Sequence, residues 1–170
     1  GGLMPDRVII ELVAQRIREA DCRAGFVLDG YPRTVVQAQA MAAAGIEIDI
    51  VVEFSLTPQE LLRRSGGRLV HPASGRTYHA VLRPPKVPGK DDVTGEDLVQ
   101  RADDLPEAAA RRLEVHHQHA PALIEYYRAR SVKGEPGAPC YVRISAEGPV
   151  GAVRDRLFDA LGAHRHAAVG

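Results

Sequence analysis

Two short strand-like runs, "GFVLD" at 25–29, which is apolar without alternation, and the β-branched "IDIVVEFSL" at 48–56, constrain the fold of this 170-residue chain more than any other feature. The first is too brief for a helix. An apolar run that lacks polar and apolar alternation suits a strand covered on both faces. Helix-forming sequence surrounds both. Asp6 is placed to N-cap a helix over 6–20, on which Val8, Ile9, Leu12, Val13 and Ile17 recur on one face. Thr34 is placed to cap the alanine-rich "VVQAQAMAAAG", which Gly45 should stop. In "TPQE", 57–60, a capping threonine precedes a first-turn proline, with a glutamate three residues after the cap; the helix should run to Ser65 or Gly66. Strand, helix, strand, helix with short connections is the pattern of an α/β fold with a parallel sheet and flanking helices.

From 68 to 104 the chain becomes rich in proline, glycine and charge, with only short β-like pieces. A loop of that length inside a compact domain is usually functional, and it reads as a small insertion. Helical sequence resumes in "LPEAAARRLEVHHQHAPALIEYYRAR", with a break or restart expected near Pro121. A strand, "CYVRIS", follows, then an amphipathic helix over 150–161 with Val153, Leu157 and Leu161 on one face. The tail from 162 is expected to fray. The expected organisation is a first core part at 1–67, the insertion at 68–104, a second core part at 105–162 and a tail at 163–170.

Composition narrows the partners. Acidic and basic side chains balance at 22 each, so there is no global field to recruit nucleic acid or an anionic membrane surface. An anion site must be a local cluster. Cys22 and Cys140 lie far apart without a C-x-x-C partner, which argues against a disulfide framework or a thiolate zinc site and fits a reducing cytoplasm. No apolar run approaches the length of a membrane span, and no charged-then-apolar leader precedes the first helix.

The first apolar run ends in a turn that carries chemistry, "LDGYPRT". In open parallel sheets ligands bind beyond the carboxyl ends of strands, so Asp29 is a candidate for a metal or its waters. Arg33, just beyond, can fork onto a phosphate. The same residues also suit an ordinary surface turn, since D-G and X-P steps punctuate chains widely.

"LDGYPRT" followed by Gln37, then "GRLVHPASGRTYH", "PPKVPGKDDVTGEDLVQRADD" and "RRLEVHHQHAPALIEYY", in this order and spacing, resemble the adenylate kinases in their bacterial long-lid form, from the first residues to about Gly162. The resemblance implies a P-loop nucleoside monophosphate kinase-like parallel sheet, with 68–104 as a mobile lid over ATP and the AMP-binding segment in 1–67. It implies transfer of a phosphoryl group between MgATP and AMP to give two ADP, by a monomer. Asp29 would orient water on Mg²⁺, Arg33 would grip the AMP phosphate, and Gln37 would read the base. Gly2, Leu3 and Met4, with Gly30, Tyr31 and Pro32, would surround AMP. Arg64 and Arg68 at the start of the lid would meet ATP, with Thr77, Tyr78 and Gly148. Arg101 and Arg112 would bridge the phosphates of both nucleotides, and Asp103 would help couple lid closure to bound phosphate. Arg33, Arg68, Arg101, Arg112 and Asp29 form the implied catalytic set. Some relatives staple the lid with zinc through four cysteines; here those positions are His71, Ser74, Asp91 and Thr94, a poor tetrahedral zinc set, so no zinc is expected.

The family also carries a G-x-x-x-x-G-K-[ST] loop after its first strand, and no such run occurs in these 170 residues. The expectation is a fold lacking the N-terminal strand and P-loop, inactive as it stands. The alternative is a non-catalytic nucleotide-binding remnant of a nucleoside monophosphate kinase.

Overall fold

Threonine caps start two helices where the sequence places them. The Thr34 hydroxyl accepts from the Gln37 N–H ahead of Val35–Ala43, and the Thr57 hydroxyl accepts from the Glu60 N–H ahead of Pro58–Gly66. The second cap is half a capping box. The Glu60 carboxylate is held instead by Arg63 and Arg64, so it does not return to the cap. In the computed structural model, residues 6–134 and 137–167 are described, without the side chains of Asp103, Pro106 and 164–167.

The elements are α1 (Asp6–Arg16), α2 (Val35–Ala43), β1 (Ile50–Ser55), α3 (Pro58–Gly66), β2 (Arg68–Val70), β3 (Thr77–His79), α4 (Pro106–Lys133), β4 (Cys140–Ser145) and α5 (Val150–Ala167), with single 3₁₀ turns at Ala20–Cys22 and Ala102–Asp104. β1 pairs with β4. The Cys140 N–H donates to the Asp49 carbonyl and the Ala146 N–H to the Ser55 carbonyl, so pairing advances in the same direction along both strands and the ladder is parallel. Parallel strands need a long crossover, and here it contains α3, the 68–104 insertion and α4. β2 and β3 form an antiparallel hairpin with Leu69 opposite Tyr78.

The chain divides into two units. The first comprises Gly1–Glu53, His116–Ile144 and Arg154–Gly170; the second comprises Phe54–Val115 and Ser145–Val153. In the first, Ala38, Met41, Ile46, Tyr127 and Ile144 are buried. The second encloses Tyr78, Ala109 and Ala146 together with four polar side chains, His71, His79, Asp91 and Asp104. Among the described residues no helix is long and apolar enough to cross a membrane.

Four expectations are corrected. The run at 25–28 forms no strand and joins neither sheet among the described residues, and Val27 is 92% exposed where burial on both faces was expected. Apolar patterning records what a strand needs to bury; it does not supply the neighbour that completes a ladder. α1 stops at Arg16, and the next two N–H groups reach back by three or four residues, Ile17 to Val13 and Arg18 to Gln15, tightening the turn. Its apolar face is partly covered: Ile9, Val13 and Ile17 are half-buried, while Val8 and Leu12 are exposed. α4 runs through Pro121 without a break, because a proline removes one bond of the ladder and the helical residues on either side carry it across. α5 continues past Gly162 to Ala167; glycine stops a helix by adopting positive φ, and Gly162 does not.

Candidate active site

The expected site residues fall in both units. In the first, Gly30 has φ of 77°, a conformation that favours glycine, and it lets the chain turn immediately after Asp29. A Cβ at this position would lie 3.3 Å from the Arg33 guanidinium, which folds back so that Nε donates to the Gly30 carbonyl at 2.6 Å. The peptide bond between Tyr31 and Pro32 is cis. The Arg33 backbone N–H donates to Gln37 Oε1 at 2.7 Å, and Gln37 Nε2 donates to Asp6 Oδ1 at 2.8 Å. The Tyr31 hydroxyl is buried without a hydrogen-bond partner among the described residues, and its pKa is raised by that burial and then by the Asp6 charge. Asp29 is exposed. Asp29, Gly30, Tyr31, Pro32, Arg33 and Gln37 thus form one continuous turn and helix start, while Gly2, Leu3 and Met4 lie outside the described residues.

In the second unit the arginines meet backbone carbonyls and two carboxylates, Glu60 and Asp104. Arg64 Nε donates to Glu60, and its Nη2 donates to the Ala146 carbonyl at 3.0 Å and the Gly148 carbonyl at 3.3 Å. Two expected ATP-side residues far apart in sequence therefore meet. Arg63 and Arg64 pull the Glu60 carboxyl down to about 2. Arg68 forks onto Asp104, with Nε 2.7 Å from Oδ2 and Nη2 bonded to Oδ1. Arg112 Nη1 lies 3.8 Å from the same carboxylate, whose side chain is fully enclosed. The hydrogen bond from Arg68 is the main cause that holds the Asp104 carboxyl below its ordinary range; burial opposes it, and the charges of Arg68, Arg101 and Arg112 add to it. Gln100 braces the start and end of the insertion, donating to the Gly66 and Asp104 carbonyls.

The resemblance points to Asp103 as the acid near Arg101, and the side chain of Asp103 lies outside the described residues; the acid that the structure sets against Arg68 is Asp104. The available signal was the second acid of "RADD". Its backbone N–H bonds to the Arg101 carbonyl across one 3₁₀ turn, which sets the carboxylate back toward Arg68.

Thr77 and Tyr78 lie on β3 and differ in access. Thr77 is exposed, whereas Tyr78 is buried and its hydroxyl donates to Asp91 at 2.9 Å and accepts from the Asp92 N–H at 3.0 Å. The four positions that carry cysteine in zinc-stapled relatives meet in the same network. His71 Nδ1 lies 2.7 Å from Ser74 Oγ, His71 Nε2 lies 2.6 Å from Glu96, and the Thr94 hydroxyl donates to Asp91 at 3.0 Å. Arg76 forks onto Asp91 at 2.8 and 2.7 Å and is the main cause of its lowered pKa. These side chains staple the insertion with hydrogen bonds and one ion pair.

A parallel α/β core whose insertion carries clustered arginines defines the class as nucleoside monophosphate kinase. A sequence model of the adenylate kinases matches residues 1–132. An adenylate kinase of Coxiella burnetii (strain Dugway 5J108-111) is 48% identical over 164 residues, covering 96% of this chain and 71% of that protein. The chain belongs to the adenylate kinase family, nucleotide-binding phosphotransferases of nucleotide biosynthesis.

Proposed function

We propose that the reaction is reversible transfer of the γ-phosphoryl group of ATP to AMP, giving two ADP, with Arg33 and Gln37 on the AMP side and Arg64, Arg68, Thr77, Tyr78 and Gly148 on the ATP side. The observation that carries this reading is the gathering of Arg68 and Arg112 around the enclosed Asp104, with the charge of Arg101 acting on the same group. An AMP phosphate oxygen attacks the γ-phosphorus as the bond to the β-bridging oxygen breaks, and the electron pair leaves with ADP. The transition state is loose and spreads charge over oxygens, so positioning and electrostatic stabilisation carry the rate and no side-chain nucleophile is needed. Guanidinium groups supply that stabilisation through forked hydrogen bonds. Asp104 holds Arg68 in place before phosphate arrives, and bound phosphate then competes for its donors.

Asp29 fits a hydrated magnesium ion, because Mg²⁺ retains several waters and binds through one or two carboxylates plus substrate phosphates. When bound, the ion would neutralise phosphate charge, and Asp29 would hold it through one of its waters. ATP, AMP and ADP are the partners of this reading, the enzyme working as a monomer in the cytoplasm. The free thiols of Cys22 and Cys140 suit that compartment.

The test is Arg33→Ala in titrations with each nucleotide. AMP binding should weaken about ten- to hundredfold, the loss of a charge-assisted phosphate contact, while ATP binding changes little. Equal losses for both nucleotides would remove Arg33 from the AMP side. The lack of a G-x-x-x-x-G-K-[ST] run in these residues favours a second reading, in which this polypeptide binds nucleotide without transferring phosphate.

A further inference from the structure

The Gln37 amide is held from both ends by groups that leave it one orientation. Its oxygen accepts from the Arg33 backbone N–H at 2.7 Å, and its nitrogen donates to the Asp6 carboxylate at 2.8 Å. A backbone N–H can only donate, and an ionised carboxylate can only accept. Turning the amide over would set N–H against N–H and oxygen against oxygen. The two anchors come from different elements, Asp6 from the first turn of α1 and Arg33 from the turn before α2, and α1 lies against α2.

A primary amide has two N–H donors and two acceptor lone pairs. One of each is committed here, so one donor and one acceptor remain, in fixed order. A freely rotating amide could read either order of groups on a purine edge. Adenine places its amino donor next to an acceptor ring nitrogen, whereas a 6-oxo purine puts an oxygen acceptor where that amino group stands. Against the fixed amide a 6-oxo purine in the same pose meets oxygen with oxygen.

We infer that Asp6 is a specificity-determining residue: by fixing the Gln37 amide together with the Arg33 N–H, it makes the site accept 6-amino and reject 6-oxo purine monophosphates. This rests on the reading of Gln37 as the contact to the AMP base. Asp6 acts through Gln37 and is a positioning residue. Rejection comes from an unfavourable pairing built into the site, beyond any attraction to the correct base.

The test measures AMP and IMP dissociation constants calorimetrically for the chain and for Asp6→Ala, Asp6→Asn and Gln37→Ala, with circular dichroism confirming retained helix. Gln37→Ala should abolish the preference for AMP. Asp6→Ala should narrow it by about three- to tenfold, the effect of one exposed charge-assisted hydrogen bond. Asp6→Asn keeps the side-chain size and can donate or accept, so it should give an intermediate ratio. If Gln37→Ala leaves the preference intact, or the chain binds neither nucleotide, the reading of Gln37 fails and this inference fails with it. If Gln37→Ala abolishes the preference but both Asp6 variants keep it whole, or weaken AMP and IMP equally, the inference alone is overturned.

Discussion

Removing either member of the Arg68 and Asp104 pair should destabilise the protein unequally. The Asp104 side chain is fully enclosed, while that of Arg68 is 35% exposed. In Asp104→Ala the Arg68 guanidinium is exposed enough to reach water, so the loss is that of the charge-assisted hydrogen bonds to Asp104, about 2 kcal/mol. In Arg68→Ala the enclosed carboxylate keeps Arg112 only at 3.8 Å, and its loss should approach the values for breaking a buried pair, about 3 kcal/mol. The contact of Arg112 with Asp104 is longer, 3.8 Å, and its side chain is 59% exposed, so Arg112→Ala should destabilise less than Arg68→Ala. In Arg68→Ala/Asp104→Ala neither charge remains to be stranded. The double variant should therefore lose less than the sum of the single losses, by at least about 1 kcal/mol of coupling. The chain has no tryptophan, so urea unfolding is best followed by circular dichroism. Additive losses, or an Arg112→Ala loss equal to that of Arg68→Ala, would refute the reasoning.

Gly67→Ala should destabilise the second unit by about 1 to 3 kcal/mol through overpacking. A Cβ there would overlap His79 Cε1, on a ring pinned by bonds to the Arg63 carbonyl and the Val81 and Leu82 N–H groups; an unchanged urea midpoint would show that the ring yields freely. Asp91 and Asp104 have lowered folded pKa values, so they bind fewer protons folded than unfolded. Their stabilisation is fully present above the unfolded value near pH 4 and is lost as pH falls through the folded values, so thermal midpoints should drop below about pH 4 and do so less in Asp104→Asn. The 170-residue polypeptide, freed of host kinase, should show negligible transfer from ATP to AMP in a coupled assay, because several phosphate-cradling hydrogen bonds at about 1.5 to 3 kcal/mol each are not supplied by its sequence. Turnover in the range of ordinary enzymes would contradict this.

The parts legible in the sequence are those decided by neighbours three or four residues away. Thr34 and Thr57 cap where they stand because each hydroxyl reaches an N–H three residues on. Gly30 permits its turn through its own backbone freedom. The family's motif spacing picks out the arginines that the resemblance implies, because a chain's order is carried in its sequence even where its contacts are not. What joined them was invisible: Arg68 meets Asp104 across 36 positions, and Arg64 meets Gly148 across 84. The run at 25–28 has legible apolar character and yet forms no ladder among the described residues, because a ladder needs a neighbouring strand that apolar character does not supply. By itself the sequence determined the caps, the turns and the helical and extended preferences, since these are local energies. Only the tertiary structure decided which acid encloses itself among the arginines and which way the Gln37 amide faces, because an ion pair or a held amide exists only when distant chain segments bring complementary groups within hydrogen-bond reach.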